Sequence, residues 1–481
     1  MSSRRGLWLV IDQGGQSTRA AIVNEQGRVV TVARAAVRES RRGARMQLDA
    51  ETLWGSLRRV LRRVQRQLGR SSSRVRAAAL VTQRSTVVCW DRRTGRALTP
   101  IISWQDRRNA AWLDGFKAHA AAIERRTGLR LSPHYGASKL RWCLEHSRAV
   151  RRARLAGRLA CGPLASFLLC RLTAGASLLI DPANASRTLL YDPLRRDWSE
   201  DLLSLFGIER SLLPACVPTR HPYGEMAWGR GTLPIALVSG DQSCALFGYG
   251  TPDRHTAYVN IGTGAFVQRL VAEIPEERSG LLASVVYSDR ARVTSVLEGT
   301  VNGAAAAIEA VAATLRVSAP FKRLGRWLDE PYAPPLFINA VSGIGAPYWR
   351  SDLESRFIGR GDPPRKLVAV AESVVFLINV NIEVMDRIGG AAHDIVVSGG
   401  LAGIDALCQR LANLSGRRVR RPTEREATVR GAAFLMAGRP QSWRQLDAQV
   451  FPPRSDRALR ERYARWRAML DQQLGALEAD R

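Results

Sequence analysis

The sequence predicts an α/β protein built from two similar lobes, and three observations predict it. The chain has 481 residues, enough for two or three domains at roughly 150 residues each. A strand–turn–strand pattern covers Leu7–Val23, with a glycine-containing corner at Gly14-Gly15. A related pattern covers Thr256–Val271, with its corner at Gly262-Thr263-Gly264. Two such units in one chain, with helical patterns between them, indicate a duplicated architecture.

Each element has its own signal. Apolar runs predict strands, and helical spacing of apolar residues predicts helices. The predicted strands are Leu7–Ile11, Ala20–Val23, Val29–Val37, Ile235–Val238, Thr256–Ile261 and Ala265–Val271. The predicted helices are Leu53–Leu68, Ala110–Ile123, Lys139–Glu145, Gly303–Leu315, Lys366–Ile388 and an amphipathic segment from Leu459 to Leu477 that docks on the body of the protein. We expect an N-terminal lobe at residues 1–250, a C-terminal lobe at 251–440 and a helical extension at 441–481.

The composition is that of a globular protein with an unusual charge. Hydrophobic residues make up 46% and charged residues 24%, while 72 basic against 43 acidic residues give a net charge of +29. Only four of the basic residues are lysine, and the arginines are spread along the chain on faces such as that of Leu53–Leu68. This distribution favours solvated surfaces over a nucleic-acid partner. A binder of nucleic acid or of an anionic surface stays the minor alternative.

The sequence lacks the motifs of several other classes of protein. Seven cysteines form no CxxC pair, so neither a zinc site nor a disulfide framework is indicated. The apolar run Leu7–Ile11 is too short for a secretory signal, and no run of 18 apolar residues occurs. We therefore expect a cytoplasmic protein without a membrane partner. The sequence also lacks a P-loop, a G-x-G-x-x-G fingerprint and an HExxH motif.

Two carboxylates at the ends of predicted strands are the candidate catalytic and metal-binding residues. Asp12 follows a buried strand and precedes two glycines and Ser17, Thr18 and Arg19, an arrangement suited to phosphate and Mg²⁺. The same letters also form a common tight turn. Asp241 follows Ile235–Val238 and could accept a proton from an alcohol in phosphoryl transfer, or could simply cap the next turn.

Short motifs in a fixed order decide between these readings. They are Ile11-Asp12-Gln13-Gly14, Ser17-Thr18-Arg19, Thr82-Gln83-Arg84, Trp90-Asp91-Arg92, Ile102-Ser103-Trp104-Gln105-Asp106-Arg107-Arg108, Gly240-Asp241-Gln242, Gly262-Thr263-Gly264-Ala265-Phe266, Glu298-Gly299, Gly345-Ala346-Pro347-Tyr348-Trp349, Ser398-Gly399-Gly400 and Glu426 with Gly431-Ala432-Ala433. From about Leu7 to Gly438 the chain resembles the FGGY family of carbohydrate kinases, and within it most resembles the glycerol kinases.

The resemblance implies an actin-like fold of two ribonuclease-H-like lobes with a central ligand cleft, ATP and Mg²⁺ as cofactors, and a small sugar or polyol as substrate. It makes Asp12 the Mg²⁺-associated carboxylate and Asp241 the catalytic base. The substrate-binding positions it implies are Arg84, Ser85, Trp104, His134, Asp241, Gln242 and Phe266. The ATP-binding positions are Gly14, Gly15, Gln16, Ser17, Thr18, Arg19, Gly262, Thr263, Ala305, Glu309, Gly399, Gly400 and Ile404. A homodimer or a homotetramer is left open.

Several of these positions depart from the glycerol-kinase pattern. Ser85 stands where those enzymes have a glutamate, and His134 aligns with their substrate-binding tyrosine. Gly15 and Gln16 replace two threonines, and Ala305, Glu309 and Ile404 replace a glycine, a glutamine and an asparagine near the adenine. Losing polar partners can shift selectivity strongly, so the predicted substrate need not be glycerol. A non-catalytic sugar- or nucleotide-binding sensor of the same fold is the alternative function.

Overall fold

The computed structural model describes residues 6–331, 333–424, 426–443 and 446–479. The protein forms two compact units, each assembled from separate stretches of chain. Unit 1 comprises Met1–Pro252, Ser284–Ser295 and Glu424–Gln445, and unit 2 comprises Asp253–Ala283, Val296–Thr423 and Leu446–Arg481. The sequence had predicted contiguous lobes, and the units differ from that division because two later segments return to unit 1.

The larger of these two segments, Glu424–Gln445, contains helix Ala427–Met436. It packs against helix Asp241–Leu246 and strand Leu7–Gln13 of unit 1. A Cβ atom on Gly431 would collide with the carbonyl oxygen of Cys244, so the two backbones approach more closely than any other residue would allow. This packing joins segments far apart in the sequence.

The main sheet of unit 1 combines an antiparallel meander with parallel strands. Its spatial order is Glu225–Trp228, Gly231–Gly240, Val75–Thr82, Leu7–Gln13, Ser17–Asn24 and Val29–Ala36. The last three strands pair antiparallel as a meander, whereas Gly231–Gly240, Val75–Thr82 and Leu7–Gln13 run parallel. The parallel strands are almost wholly buried, as expected for a sheet covered on both faces.

Smaller sheets and helices complete unit 1. The second sheet runs in the order Ser40–Arg42, Arg45–Leu48, Ile101–Ile102, Val87–Asp91 and Leu159–Pro163. Short strand pairs join Leu179–Ile180 to Ala215–Cys216 and Tyr191–Asp192 to Asp197–Trp198. The α-helices are Ala50–Leu68, Ala120–Thr127, Gly136–His146, Arg148–Leu155, Leu164–Leu172, Pro182–Ala185, Glu200–Phe206, Asp241–Leu246 and Ala427–Met436. Short 3₁₀ helices lie at Gly69–Arg74, Ala111–His119, Ser186–Thr188, Arg210–Leu212 and Phe247–Tyr249.

Unit 2 repeats the strand pattern of unit 1. Its strands run in the order Ala265–Val271, Thr256–Ile261, Asp394–Ser398, Arg418–Pro422 and Ala448–Phe451. Two further strands, Leu282–Ser288 and Val293–Val301, include residues 284–295, which belong to unit 1. Thr256–Ile261 pairs antiparallel with Ala265–Val271 and parallel with Asp394–Ser398. A short strand pair joins Leu336–Ile338 to Arg356–Ile358. The α-helices are Ala305–Thr314, Pro320–Asp329, Pro363–Gly389, Asp405–Ser415 and Arg457–Ala479, with a 3₁₀ turn at Leu401–Gly403.

Helix Pro363–Gly389 is the central helix of unit 2. Asp362 caps its N-terminus by accepting a hydrogen bond from the backbone N–H of Arg365. By length and composition it is the one candidate membrane span among the described residues, but 94% of its most apolar window is buried inside the protein. The helix therefore buries its hydrophobic surface within the core of unit 2.

The structure places a strand or helix at each predicted segment. The largest difference is at Ala110–Ile123, which begins as the 3₁₀ helix Ala111–His119 and becomes α-helical only at Ala120. The C-terminal helix docks as predicted. Leu459, Trp466 and Leu470 are fully buried in the core of unit 2, and the Trp466 indole donates to the carbonyl of Phe337 at 2.9 Å.

Candidate active site

The predicted acceptor residues of unit 1 follow three neighbouring strands at the same edge of its sheet. Leu7–Gln13, Val75–Thr82 and Gly231–Gly240 run parallel, with Gln13 opposite Thr82 and Thr82 opposite Gly240. Because parallel strands end at a common edge, the residues in and after these ends meet there. The edge thus collects Asp12, the segment 83–85 and the segment 241–242.

Asp12 is a fully buried carboxylate whose hydrogen bonding is incomplete. Its Oδ2 atom forms an ion pair with Arg19 at 2.5 Å, whereas Oδ1 has no hydrogen-bond partner among the described residues. Burial raises the pKa of Asp12 from 3.8 to about 6; the Arg19 charge opposes this shift and the Asp241 charge adds to it. Asp12 and Asp241 are therefore electrostatic neighbours.

Arg19 extends from Asp12 to a second carboxylate. The Arg19 Nη1 atom donates to Glu426 Oε2 at 2.9 Å, and Arg34 pairs with the other oxygen of Glu426. Asp12, Arg19 and Arg34 are cross-strand neighbours in the meander, so sheet register sets their order. Glu426 precedes the returning helix Ala427–Met436, which supplies the carboxylate between the two arginines.

Asp241 lies beside a bonded pair, Arg84 and Gln242. Arg84 donates to the side-chain oxygen of Gln242, and burial raises the pKa of Asp241 while the Arg84 charge lowers it. The aliphatic stem of Arg84 passes over Gly240, where a Cβ atom would lie 2.5 Å from Arg84 Cδ. Gly240 thus leaves the space that Arg84 occupies.

Ser85, Trp104 and His134 come together around a buried lysine that the sequence interpretation did not select. Lys139 donates to the carbonyl oxygens of Ser85 at 2.8 Å and of His134 at 2.6 Å, and it is 1% exposed. The Trp104 and His134 rings lie 5.4 Å apart, and the backbone N–H of Trp104 donates to the Thr86 hydroxyl. Burial, reinforced by neighbouring cations, lowers the pKa of both Lys139 and His134 well below their ordinary values.

The turn after Asp12 only partly supports the predicted phosphate contacts. The backbone N–H of Gly14 donates to the Ser17 carbonyl at 3.0 Å, and the side chain of Gln16 is exposed. A Cβ atom on Gly15 would lie 2.9 Å from Gln83 Oε1, so the missing side chain makes room for that amide.

Thr18, one of the predicted ATP-binding residues, has its side chain on the core side of this turn. Its hydroxyl is fully buried and hydrogen-bonded to Gln13 at 2.8 Å and to Ser56 at 2.5 Å. Strand alternation sends Thr18 to the face covered by helix Ala50–Leu68, while Ser17 and Arg19 take the other face. The predicted hydroxyl donor to phosphate is therefore committed to the core.

In unit 2, two glycine turns occupy equivalent strand ends. Gly262 and Thr263 follow Thr256–Ile261, and Gly399 and Gly400 follow the parallel neighbour Asp394–Ser398, with Asn260 opposite Ser398. The carbonyls of Gly262 and Thr263 accept hydrogen bonds from the first amides of helix Ala305–Thr314. The loop and the helix are thereby held together as one element.

The remaining predicted residues of unit 2 lie on three elements. Ala305 is half-buried and Glu309 exposed, one turn apart on the same helix face. Ile404 is half-buried and sits 3.6 Å from the position of a Cβ atom on Gly325. Phe266 is half-buried on strand Ala265–Val271, opposite Asn260. Phe266 belongs to unit 2, whereas the other predicted substrate-binding residues belong to unit 1.

The donor set around Asp12 fits Mg²⁺. The described residues contain no group of three or more His, Cys, Asp or Glu that could hold a metal. Mg²⁺ commonly uses one or two carboxylates and completes its shell with water and substrate phosphates. A buried carboxylate with one unbonded oxygen, next to a second carboxylate, meets that requirement.

Three residues of this edge were missed as site residues. Gln83 is 4% exposed, and neither of its amide atoms has a hydrogen-bond partner among the described residues. Its position directly after a buried strand was a usable signal. Glu426 belongs to one of the family motifs, but neither it nor Lys139 has a local signal for its contacts, which cross 407 and 54 residues of chain.

These features define a class first. The two units share one strand pattern. Carboxylates lie at the strand ends of unit 1, and glycine turns lie at the strand ends of unit 2. This combination is typical of an ATP-dependent phosphotransferase with an actin-like fold. The N-terminal domain model of the FGGY family of carbohydrate kinases matches residues 7–248, and its C-terminal domain model matches residues 257–438. The chain belongs to the FGGY family of carbohydrate kinases, and its acceptor is an alcohol group.

Individual relatives agree with this assignment. Glycerol kinase of Xanthobacter autotrophicus is 34% identical, over 97% of this chain and 99% of its own. That of Bordetella parapertussis is 33% identical over 96% of both. The crystal structure of Plasmodium falciparum glycerol kinase with ADP has a TM-score of 0.88 at 22% identity, covering 97% of this chain and 98% of its own. Xylulose kinase from Rhodospirillum rubrum has a TM-score of 0.85 at 19% identity, covering 98% and 99%. These similarities confirm the predicted fold class and family.

Proposed function

We propose that this kinase transfers the γ-phosphate of ATP to a primary hydroxyl of a small polyol or sugar, with Asp241 as the general base. The observation that carries the proposal is a pair of electrostatically linked carboxylates, the buried Asp12 and the half-buried Asp241, at the ends of two parallel strands that flank Val75–Thr82. Asp12 is suited to bind a cation and Asp241 to accept a proton, and phosphoryl transfer to an alcohol requires both.

The acceptor side of the reaction falls to unit 1. Arg84 and Gln242, which are bonded to each other, would donate hydrogen bonds to substrate hydroxyls, while the Trp104 ring would cover a carbon–hydrogen face. Asp241 would accept the proton of the reacting hydroxyl as the new P–O bond forms. Burial raises the pKa of Asp241, which makes it a stronger base than an ordinary aspartate.

The phosphate side rests on Asp12, Arg19 and the glycine turns. Asp12 would hold Mg²⁺, which supplies neutralisation of phosphate charge when bound. Arg19, fixed by Glu426, would donate to phosphate oxygens from a preset position. In unit 2, Gly262, Thr263, Gly399 and Gly400 would line the nucleotide, with Ala305, Glu309 and Ile404 near the base.

Asp241→Asn tests the proposal. We expect kcat to fall by about 10²–10⁴-fold with a Tm no lower than that of the wild type, because asparagine keeps the shape but cannot accept the proton. ADP release would be measured with glycerol, erythritol, xylitol, D- and L-xylulose, ribulose, L-fuculose, gluconate and dihydroxyacetone. Asp114→Asn, at an exposed carboxylate that pairs with Lys117, is the matched control. A variant that retained the wild-type rate would remove Asp241 from the mechanism.

The sensor alternative is not favoured, because both carboxylates that a transferase needs are retained. Cytoplasmic location and assembly as a homodimer or homotetramer stay predictions from the sequence, as does the absence of a nucleic-acid partner.

A further inference from the structure

Gln83 follows the central one of the three parallel strands that end at the candidate site of unit 1. That strand, Val75–Thr82, has a neighbour on each side, one ending at Gln13 and the other at Gly240. The backbone N–H of Gln83 donates to the Gln13 carbonyl at 2.8 Å, which continues the pairing by one residue. Because adjacent strands lie about 4.8 Å apart, position 83 comes between Asp241 on one side and the turn that follows Gln13 on the other.

The side chains of Gln83 and Arg84 are directed towards different neighbours. The stem of Arg84 passes over Gly240, and its guanidinium donates to Gln242. Gln83 points the other way, since its Oε1 atom lies 2.9 Å from the position of a Cβ atom on Gly15. Arg84 is thus directed to the acceptor side of the site, and Gln83 to the turn proposed to bind phosphate.

The amide of Gln83 is buried without hydrogen bonds. The residue is 4% exposed, and neither Oε1 nor Nε2 has a partner in the part of the chain that the structure describes. A buried amide without partners destabilises a fold unless a ligand or water completes its bonding. Gly15 has no side chain that could do so, and the amide is therefore available to a ligand at the turn.

The chemistry of the proposed reaction selects the ligand group. Phosphoryl oxygens accept hydrogen bonds, so the amide would meet them with its Nε2–H. Rotation about the last side-chain bond exchanges Nε2 with Oε1, and no hydrogen bond within the described ranges opposes that rotation. A donor fixed at a buried strand end suits the negative charge that spreads over the phosphoryl oxygens during transfer.

We propose that Gln83 is a further catalytic residue, whose Nε2–H donates a hydrogen bond to an oxygen of the phosphoryl group during transfer. This rests on the proposed function and adds a residue to the same site. The acceptor oxygen forms the new P–O bond as its proton passes to Asp241. The bond from the γ-phosphorus to the β–γ bridging oxygen breaks, and that oxygen leaves in ADP with the electron pair. Gln83 neither gains nor loses a proton.

Gln83→Met tests this role, because methionine is similar in length and removes the donor together with the unbonded amide. We expect kcat to fall by about 10²-fold, with KM for ATP changed less than about threefold and a Tm no lower than that of the wild type. Ser177→Ala, which removes another buried hydrogen-bonding group without a partner among the described residues, is the control and should leave kcat unchanged. A Gln83→Met enzyme with the wild-type kcat would overturn the proposal.

The space at Gly15 provides a second test. Gly15→Ala would add a Cβ atom 2.9 Å from the Gln83 amide, whereas the next side chain, Glu39, is at an ordinary contact distance of 3.7 Å. We expect this variant to displace the amide and to lower kcat by about tenfold, but by less than about twofold when it is combined with Gln83→Ala. An equal loss in both backgrounds would show that the two positions act independently, against the proposal.

Binding of ADP with aluminium fluoride distinguishes this proposal from the proposed function. Aluminium fluoride stands for the phosphoryl group in transfer, so the measurement needs no turnover. With Mg²⁺ present, we expect Gln83→Met to bind this mixture at least about tenfold more weakly than the wild type does, and to bind ADP alone equally well. If the wild type phosphorylates no acceptor but this loss is seen, the role of Gln83 stands and the proposed function fails. If aluminium fluoride adds no affinity to the wild type, or if the variant binds both probes as the wild type does, the role of Gln83 is overturned.

Discussion

Asp12, the proposed Mg²⁺ ligand, is a buried carboxylate whose burial lowers the stability of the folded state. Its side chain is fully buried, and a single ion pair with Arg19 does not offset the lost hydration, so its pKa rises to about 6. The unfolded chain has the ordinary value of 3.8. Burial of Asp12 therefore costs no stability below pH 3.8; the stability decreases as pH rises from 3.8 to about 6 and stays at the lower level above that.

Asp12→Asn should accordingly stabilise the protein in the absence of nucleotide and Mg²⁺. The pKa difference corresponds to about 3 kcal/mol at most, so we expect a gain of about 1–3 kcal/mol in the free energy of unfolding at pH 8. The gain should shrink towards pH 4, where the wild-type carboxyl group is protonated. Urea unfolding at both pH values measures it. A loss of stability at pH 8 would contradict the expectation.

At single residues, the sequence indicates candidate chemistry and leaves orientation open. Asp12 and Asp241 stand out because each lies at the end of a predicted apolar strand; a tight turn or a cap would also account for them, and their roles stay predictions. The face that the Thr18 side chain takes was not predictable, because the sequence does not say where a strand resumes. Lys139 and Glu426 acquire their roles through contacts over long sequence separations, which no local pattern records.

Among the elements, the turn after strand Asp394–Ser398 depends on glycine at one position and not at the next. Gly399 has a φ of +92°, and a Cβ atom there would lie 2.5 Å from the carbonyl oxygen of Ile261. Gly400 has helical dihedral angles, and nothing lies within 4 Å of its Cβ position. The pair is a matched test of close approach between two neighbouring strands.

Gly399→Ala should lower the free energy of unfolding by about 2–3 kcal/mol, because it adds both backbone strain and a collision with a strand. Gly400→Ala should change stability by less than about 0.5 kcal/mol. Urea unfolding of both variants measures the two changes in the free energy of unfolding. Equal effects at the two positions would show that the turn relaxes and that Ile261 does not restrict it.

The elements themselves were largely predictable, whereas their grouping was not. Apolar periodicity located Leu7–Gln13, Thr256–Ile261 and the long helix Pro363–Gly389 to within a few residues. The return of helix Ala427–Met436 to unit 1 depends on the close contact of Gly431 with Cys244. Sequence spacing carries no record of such a contact between distant segments.

For the whole molecule, the net charge of +29 poses a question of stability. Some ion pairs, such as Arg457 with Glu461 and Arg210 with Asp197, are exposed on both sides, where each contributes little. Helix Ala50–Leu68 carries exposed arginines at i, i+4 spacing, namely Arg58, Arg62 and Arg66, together with Arg59 and Arg63. Within the described chain none of the five forms an ion pair, so repulsion along this helix is not offset.

Repulsion should therefore outweigh ion pairing, and salt should stabilise the protein. The Debye length falls from about 30 Å at 0.01 M to about 8 Å at 0.15 M, which screens repulsion across the surface. We expect the free energy of unfolding to rise by on the order of 1 kcal/mol over this range. Replacing the five helix arginines with glutamine should raise stability at 0.01 M and reduce the salt effect, because it removes charge without removing a partner. If salt instead lowered the stability, the exposed ion pairs would outweigh the excess of arginine.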